Sequence, residues 1–213
     1  QVRSVDELAA AMMLLPVAAK LGPGGLASTH DSGGERGLMV DLAAAAGVRF
    51  ASLSPATEDK LEAALDPGLP PVNPLDHWGT GRNYPTDFEA CVHALMADPD
   101  TALGALALDR SVGGQVTPLY LEIAHRARTA SGKPVVIVSN HQGSGSDPAA
   151  VASTRAGVPV LDGVPAFLRA CRIAFDRRDA AARPPMRPPR ASEAAVQRWR
   201  ARLADGHPVT EAE

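Results

Sequence analysis

The 213-residue sequence predicts an α/β fold, in which a parallel sheet lies between two layers of helices. Short apolar runs alternate along the chain with longer segments whose apolar residues recur at helical spacing. One run, residues 134–139, is apolar without alternation, as expected of a strand that is buried on both faces. Alternating strands and helices imply crossover connections, and right-handed crossovers place helices on both faces of the sheet.

The N-terminal part predicts a helix followed by a short strand. Ser4 and Glu7 have the spacing of a capping box at a helix start. Three apolar residues keep helical spacing along this segment: Leu8, Met12 and Leu15. Pro16 and the glycine-rich turn at 22–25 interrupt the helix, and we expect a strand over 25–29.

Residues 30–100 predict three further helices and one strand. The first helix ends at Gly47, and residues 48–53 follow as a strand. Pro55 occupies the first position of the next helix, and residues 66–74 form a proline-rich loop. Thr86 and Glu89 form a second capping-box pattern, before a helix with regular apolar spacing.

The second half alternates more regularly. Strands are predicted over 103–108, 134–139 and 158–161, and helices begin at Pro118, Pro148 and Pro165. Together these elements predict a flavodoxin-like, three-layer domain over about residues 20–178. Residues 1–19 are expected to be a helix and linker from a preceding domain. Residues 179–213 are expected to hold a proline-rich linker, a helix over 192–204 and the start of another domain.

Composition excludes several classes of function. A net charge of −3 and only 4% aromatic residues argue against a nucleic-acid or membrane surface. Cys91 and Cys171 give neither a disulfide framework nor metal-ligand spacing, so we expect a cytoplasmic protein without a metal site. No apolar run approaches the length of about 18–20 residues that a membrane span needs. The start at Gln1 lacks a methionine and a signal peptide, and resembles a cut into a longer chain.

The segment STHDSGGER, residues 28–36, carries the strongest functional signal. Three loops rich in small and polar residues leave the carboxyl ends of predicted strands, at 31–34, 109–114 and 140–147, where parallel sheets bind ligands. The first loop passes directly into a helix, so backbone N–H groups and the helix dipole favour an anion. We interpret it as a phosphate cradle. A plain tight turn between strand and helix is the alternative.

Other chemistries fit this segment less well. A serine protease needs a remote histidine and a buried aspartate. The hydrolase elbow needs serine where this chain has Gly145 within residues 143–147. Neither a P-loop nor a dinucleotide glycine fingerprint is present. His30, His77 and His141 can share the ligand edge, but their spacing is not that of metal ligands.

Several segments in order resemble a known family. They are SGGERGLMVDLAAAAGVRF, LSPATEDKLEAALDPG, PVNPLDHWGTG, GKPVVIVSN and AGVPVLDG. They resemble the third, flavodoxin-like domain of NDP-forming acyl-CoA synthetases, relatives of succinyl-CoA synthetase. ARLADGHPVTEAE is similar to the linker and first residues of the ATP-grasp domain in fused members, so the resemblance covers nearly the whole chain. His30 departs from the family pattern, and the sequence assigns it no role.

The resemblance implies a part in an acid–CoA ligase that forms acyl phosphate through a phosphohistidine. That histidine belongs to the preceding domain, so no catalytic residue is expected in this chain, and the isolated chain is expected to be inactive. Ser32, Gly33, Gly34 and Glu35 would form one of two helix starts that hold the phosphoryl group. The full-length enzyme would use CoA and ATP with Mg²⁺, none of them tightly bound by this fragment.

The partners implied by the resemblance are other parts of the same enzyme and its substrate. They are the CoA-binding and phosphohistidine domains, the ATP-grasp domain and a carboxylic acid, with neither nucleic acid nor membrane. The resemblance also allows a homo-oligomer. A stand-alone flavodoxin-like binding or scaffold module is the alternative function.

Polar residues outside the cradle have two interpretations each. Asn73 and Asp76 either fix a turn through backbone hydrogen bonds or line an edge that contacts substrate or another domain. Asn140 and Ser144 have the same two interpretations. Glu35 either orients the incoming phosphohistidine or stabilises the helix dipole.

Overall fold

A five-stranded, all-parallel sheet forms the centre of the protein, as the sequence predicts. The strands are β1 (Gly25–His30), β2 (Leu75–Asp76), β3 (Thr101–Leu108), β4 (Val135–Ser139) and β5 (Val160–Asp162). The computed structural model describes residues 1–81, 83–110, 115–141, 147–184, 191–204 and 206. The strands lie in the order β2-β1-β3-β4-β5, which is that of flavodoxin-like folds.

Helices cover both faces of the sheet. They are α1 (Val5–Val17), α2 (Gly33–Ala46), α3 (Pro55–Ala64), α4 (Tyr84–Ala97), α5 (Pro118–Ser131), α6 (Pro148–Arg155), α7 (Val164–Ala181) and α8 (Glu193–Ala204). One face is covered by α1, α2 and α7, and the other by α3, α4, α5 and α6. Apolar residues of the sheet are buried against both layers, which confirms the three-layer fold.

Helix ends follow several of the signals in the sequence. The Asp147 carboxylate accepts hydrogen bonds from the N–H groups of Ala149 (2.9 Å) and Val116 (2.8 Å), so it caps α6 and also holds the chain before α5. Gly47 ends α2 in the left-handed conformation, with φ of 68°. Ser4 caps α1, but the Glu7 carboxylate accepts from the N–H of Arg3 rather than completing the capping box.

The buried face of α1 differs from its predicted apolar spacing. Ala10, Ala11 and Leu14 are buried, whereas Leu8 and Met12 are exposed. The helix runs beside α7, and small alanine side chains allow the two helices to approach closely. The helix also continues through Pro16 to Val17.

The predicted strand at 48–53 is reduced to one bridge between Phe50 and Leu26. In this segment, backbone N–H groups that a longer strand would donate to its neighbour donate instead to acidic side chains. The N–H of Ser52 donates to the Asp100 carboxylate and that of Ser54 to the Asp98 carboxylate, both at 2.8 Å. The segment is therefore a loop that these hydrogen bonds hold against the edge of the sheet.

Two other helices have bounds that differ from those predicted. α4 begins at Tyr84 with Asn83 as its N-cap residue, three positions before Thr86, the predicted N-cap. Glu89 pairs with Arg126 of α5 instead of completing a capping box. α7 continues to Ala181, past the predicted start of the linker.

The chain divides into two compact units, 1–181 and 182–213. The second contains α8, as predicted, with the Ser192 hydroxyl accepting from the N–H of Ala195. Residues 185–190, in the proline-rich linker, and 207–213, at the expected start of the next domain, lie outside the described residues.

Asp98 is expected to be a main determinant of stability, because it is buried and its carboxylate accepts from the N–H groups of Ser54 and Asp100. Burial alone would raise the pKa of this carboxyl, but these hydrogen bonds outweigh it and lower the pKa. Asp98→Ala should reduce the free energy of unfolding in urea by about 2–4 kcal/mol, because two donors lose their acceptor. Asp59→Ala, at an exposed position of α3, is the control and should change it by less than about 0.5 kcal/mol. Equal effects would contradict the assignment.

Candidate functional site

The strand order creates a crevice at the carboxyl ends of β1 and β3. The helix that follows β1 packs on one face of the sheet, and the helix that follows β3 packs on the other. The loops that leave β1 and β3 therefore turn to opposite faces of the sheet and leave a space between them. Open α/β sheets bind ligands at such a point. The segment STHDSGGER crosses this edge, because His30 ends β1 and Gly33 begins α2.

The predicted cradle is the start of α2. Ser32 is the N-cap residue, with extended backbone, but its side chain makes no capping hydrogen bond. Gly33 and Gly34 are exposed, and a Cβ atom at Gly34 would lie 3.6 Å from the Ser32 hydroxyl. The first N–H groups of the helix therefore face an open position without a side-chain cap among the described residues.

Asp76 lies against this cradle, as the sequence analysis allowed. A Cβ atom at Gly33 would be 3.2 Å from the Asp76 carboxylate, and the other oxygen of that carboxylate accepts from the N–H of Trp78 at 3.3 Å. Asp76 thus fixes a turn beside the cradle, while its contact with substrate or another domain stays a prediction.

Glu35 and Asn140 also meet at this edge. The pKa of Glu35 is raised, first by burial and then by the carboxylates of Asp109, Asp31 and Asp76, while a hydrogen bond from Asn140 opposes the shift. Asn140 also donates to Asp109 at 3.2 Å. One buried oxygen of Glu35 has no hydrogen-bond partner among the described residues. The ends of β1, β3 and β4 therefore converge on one acidic surface.

Asn73 forms hydrogen bonds with the backbone of β1 and of the segment at 48–53. Its carboxamide accepts from the N–H of Ser28 (3.0 Å) and donates to the carbonyls of Leu26 (2.8 Å) and Ala51 (2.9 Å). Both N–H donors and the oxygen of this side chain are engaged by backbone, which supports the structural interpretation. Ser144 lies outside the described residues.

His30, to which the sequence assigns no role, is completely buried at the end of β1. Its Nε2 atom is 3.0 Å from the Ser28 hydroxyl, and its Nδ1 atom has no hydrogen-bond partner among the described residues. Burial lowers the pKa of His30 to about 4, and His77 and Arg36 contribute to the shift. His30 is therefore neutral at pH 7 and is part of the interior rather than of the ligand surface.

Asp31 is the centre of a hydrogen-bond network that the sequence analysis missed. Its two carboxylate oxygens accept from the Tyr120 hydroxyl at 2.9 and 2.7 Å, and one of them lies 3.3 Å from His77 Nε2. His77 Nδ1 is 2.5 Å from the Thr29 hydroxyl, and the Tyr84 hydroxyl contacts that of Tyr120. The network fixes the loop immediately before the cradle.

Signals for this network are weak in the sequence, because Asp31 and Tyr120 are 89 positions apart. Burial raises the pKa of Tyr84 to about 12. Burial also raises the pKa of Tyr120, and the hydrogen bond with Tyr84 and the charge of Asp31 add to the shift. Both phenols are therefore protonated hydrogen-bond donors at pH 7. Of the three histidines expected at this edge, only His141 is exposed, 3.6 Å from Asp109.

The described residues were also compared with the requirements of a metal site and of a membrane span. In the described part of the chain, no group of three or more histidine, cysteine or acidic side chains is arranged to hold a metal ion. Within the same residues, no helix has the length and apolar character to span a bilayer.

Comparison with solved structures identifies proteins of similar fold. PH0766 from Pyrococcus horikoshii OT3 superposes with a TM-score of 0.70 at 19% identity, over 85% of this chain and 42% of that one. The dinucleotide-forming acetyl-coenzyme A synthetase 1 of Ca. Korarchaeum cryptofilum gives 0.60 in its apo form, at 15% identity, over 84% of this chain and 39% of the other. This chain shares their fold.

The same synthetase in complex with phosphate and ADP gives a TM-score of 0.62 at 14% identity, over 98% of this chain and 40% of that one. The chain thus spans about two fifths of the length of the chains in these structures. No protein-family model and no curated protein matches the sequence.

Stability should depend on pH through His30. The folded protein holds the pKa of His30 at about 4, below the ordinary histidine value of 6.5, so the unfolded chain binds a proton first as the pH falls. The contribution of neutral His30 to the free energy of unfolding is fully present above pH 6.5. It is lost progressively between pH 6.5 and 4, by about 3 kcal/mol in total. Urea unfolding between pH 4 and 7 measures this loss. As the pH falls, the free energy of unfolding should decrease more steeply in wild type than in His30→Gln. The exposed His141→Gln should match wild type, and parallel profiles for all three would refute the assignment.

Proposed function

We propose that this chain is a domain of an NDP-forming acid–CoA ligase, and that the start of α2 binds the phosphoryl group of a phosphohistidine from another domain. The observation that carries the proposal is the uncapped start of α2, with two exposed glycines, at the crevice between β1 and β3. The fold shared with an acetyl-coenzyme A synthetase, one structure of which holds phosphate and ADP, supports it.

For its part in this phosphoryl transfer, the chain needs backbone N–H donors rather than a reactive side chain. ATP phosphorylates the histidine; the carboxylate of the acid then forms a bond to phosphorus as the N–P bond breaks, and CoA displaces phosphate from the acyl phosphate. A phosphoryl dianion that leaves water needs several oriented N–H groups, which a helix start supplies. In this proposal Ser32, Gly33 and Gly34 provide that site, while CoA, ATP and Mg²⁺ bind to other domains.

Acidic neighbours make the cradle selective. Asp31, Asp76 and Asp109 surround Glu35, so a free anion is attracted by the helix start but repelled by these carboxylates. We propose that Glu35, in the first turn of α2, orients the incoming phosphohistidine. Binding of inorganic phosphate by the chain alone is then expected to be weak.

Gly34→Val should abolish phosphate binding by the isolated chain, because the added side chain projects over the helix start. Binding is measured from the line width of phosphate in ³¹P NMR. Ser32→Ala removes at most one neutral hydrogen bond and should weaken binding about threefold to tenfold. Gly37→Val is the matched control: it lies in the same helix, a Cβ atom there meets nothing within 4 Å, and it should bind as wild type does. Unchanged binding by Gly34→Val would mean that this turn only connects two elements.

Catalysis should require the remaining domains. Incubated with ATP, Mg²⁺, CoA and a panel of carboxylic acids, the purified chain should form no acyl-CoA above the uncatalysed background, measured by mass spectrometry. Turnover by this chain alone would contradict its assignment as one domain of a larger ligase.

A further inference from the structure

A cleft of about 440 Å³ lies beside β5, the strand at one edge of the sheet. It is bounded by α1 and α6, which cover opposite faces of the sheet. Its apolar lining consists of Met13 from α1, Ala150 and Val151 from α6 and Val160 from β5. Among the described residues that line the cleft, none belongs to α2, so it is separate from the phosphoryl site proposed above.

A buried guanidinium group lines the same cleft. The side chain of Arg110 is only 5% exposed, and its Nη1 atom donates to the Asp162 carboxylate at 2.8 Å. Its Nε atom is buried and has no hydrogen-bond partner among the described residues. A guanidinium has five N–H donors, and a buried donor without an acceptor is costly. The described part of the chain therefore leaves this cation short of an acceptor.

The remaining polar side chains of the cleft add a second cation and no further acceptor for Arg110 Nε. The Asp147 carboxylate already accepts from two backbone N–H groups. The Thr154 hydroxyl donates to a carbonyl of its own helix at 2.8 Å and accepts from the N–H of Val160 at 3.1 Å. Arg155, in the last turn of α6, is exposed and has neither an ion pair nor a hydrogen bond to a described side chain. The cleft therefore favours a carboxylate supplied from outside, which guanidinium groups bind well.

An exposed apolar face of α1 adjoins the cleft. Met13 lines the cleft, and the neighbouring Met12 belongs to a row at i, i+3 and i+7 with Val5 and Leu8, whose members are between 45 and 79% exposed. The opposite face of this helix is apolar too, and it is buried in the core. A helix that is apolar all round is normally covered on all sides. The row extends for about 10 Å along the helix, at 1.5 Å per residue, so a small molecule held in the cleft leaves most of it exposed.

We infer that the cleft and the outer face of α1 form a docking surface for a polypeptide segment that carries one acidic side chain between apolar residues. The acidic side chain enters the cleft and pairs with Arg110 and Arg155, and the apolar residues cover Met13, Val151 and the exposed row of α1. A basic segment is repelled by the two guanidinium groups, and a free small acid leaves α1 uncovered. The inference goes beyond the proposed function, because it adds a protein-binding surface outside the phosphoryl site.

Selection of a random dodecapeptide library, displayed on phage, against this chain tests the inference. The enriched peptides should share one Asp or Glu between apolar residues. In a fluorescence anisotropy titration of the best peptide, replacing its acidic residue with Asn or Gln should weaken binding about tenfold or more, because Arg110 and Arg155 both lose their partner. No enrichment, or a consensus without an acidic residue, would overturn the inference.

Variants of the chain show where the peptide binds. Arg155→Gln should weaken binding about 2- to 5-fold, the range for an exposed ion pair, and should keep the melting temperature. Arg177→Gln, at an exposed position of α7, is the matched control and should bind as wild type does. Met12→Ser should weaken binding about threefold to tenfold through lost apolar contact, whereas Leu38→Ser, at an exposed position of α2, should not.

Two results would place the peptide elsewhere or make the cleft a site for small acids, and either overturns the inference. The first is equal binding by each variant and its control. The second is binding of hexanoate as tight as that of the peptide, measured by its displacement of the labelled peptide.

Discussion

Three buried polar residues, 28–30, end β1, and the half-buried Asp31 follows them. The geometry of the site depends on how the polar atoms of these four residues are satisfied. The backbone N–H of Ser28 donates to the carboxamide oxygen of Asn73. The Ser28 hydroxyl pairs with His30, and the Thr29 hydroxyl pairs with His77. Asp31 is held by Tyr120 from the opposite layer of helices. Because buried polar groups are costly when unpaired, these bonds select one path for the chain as it leaves the sheet. That path places the two glycines at the start of α2 in the open crevice.

Electrostatics at this edge explains why a helix start, rather than a cationic side chain, is the anion site in our account. Burial raises the pKa of Glu35, and the carboxylates of Asp109, Asp31 and Asp76 raise it further, so they add a negative local potential. Arg36, although near, donates to the carbonyl of Pro74. Backbone N–H groups at the start of α2 are then the donors that approach an anion directly. Such a site favours a group delivered by another domain over free phosphate in solution.

Local signals predicted the layers and the loop at 31–34 that leads into α2, but not the contacts that support them. The strand at 135–139 and the cap at Asp147 depend on neighbours in sequence, and both were predicted. The strand at 48–53 was wrong, because Asp98 and Asp100 take its backbone donors from about 45 residues away. The bond between Asp31 and Tyr120 joins two layers of helices, so nothing in the local pattern indicates it.

The central claim is that backbone N–H groups at the start of α2 bind a phosphoryl group. The most direct measurement is an amide ¹H–¹⁵N NMR titration of this chain with inorganic phosphate. Our account predicts that the largest saturable shifts occur at Gly33, Gly34 and Glu35, while the amides at the start of α6, where Asp147 already caps the helix, stay in place. Shifts that are largest at α6, or equal at both helix starts, would contradict it.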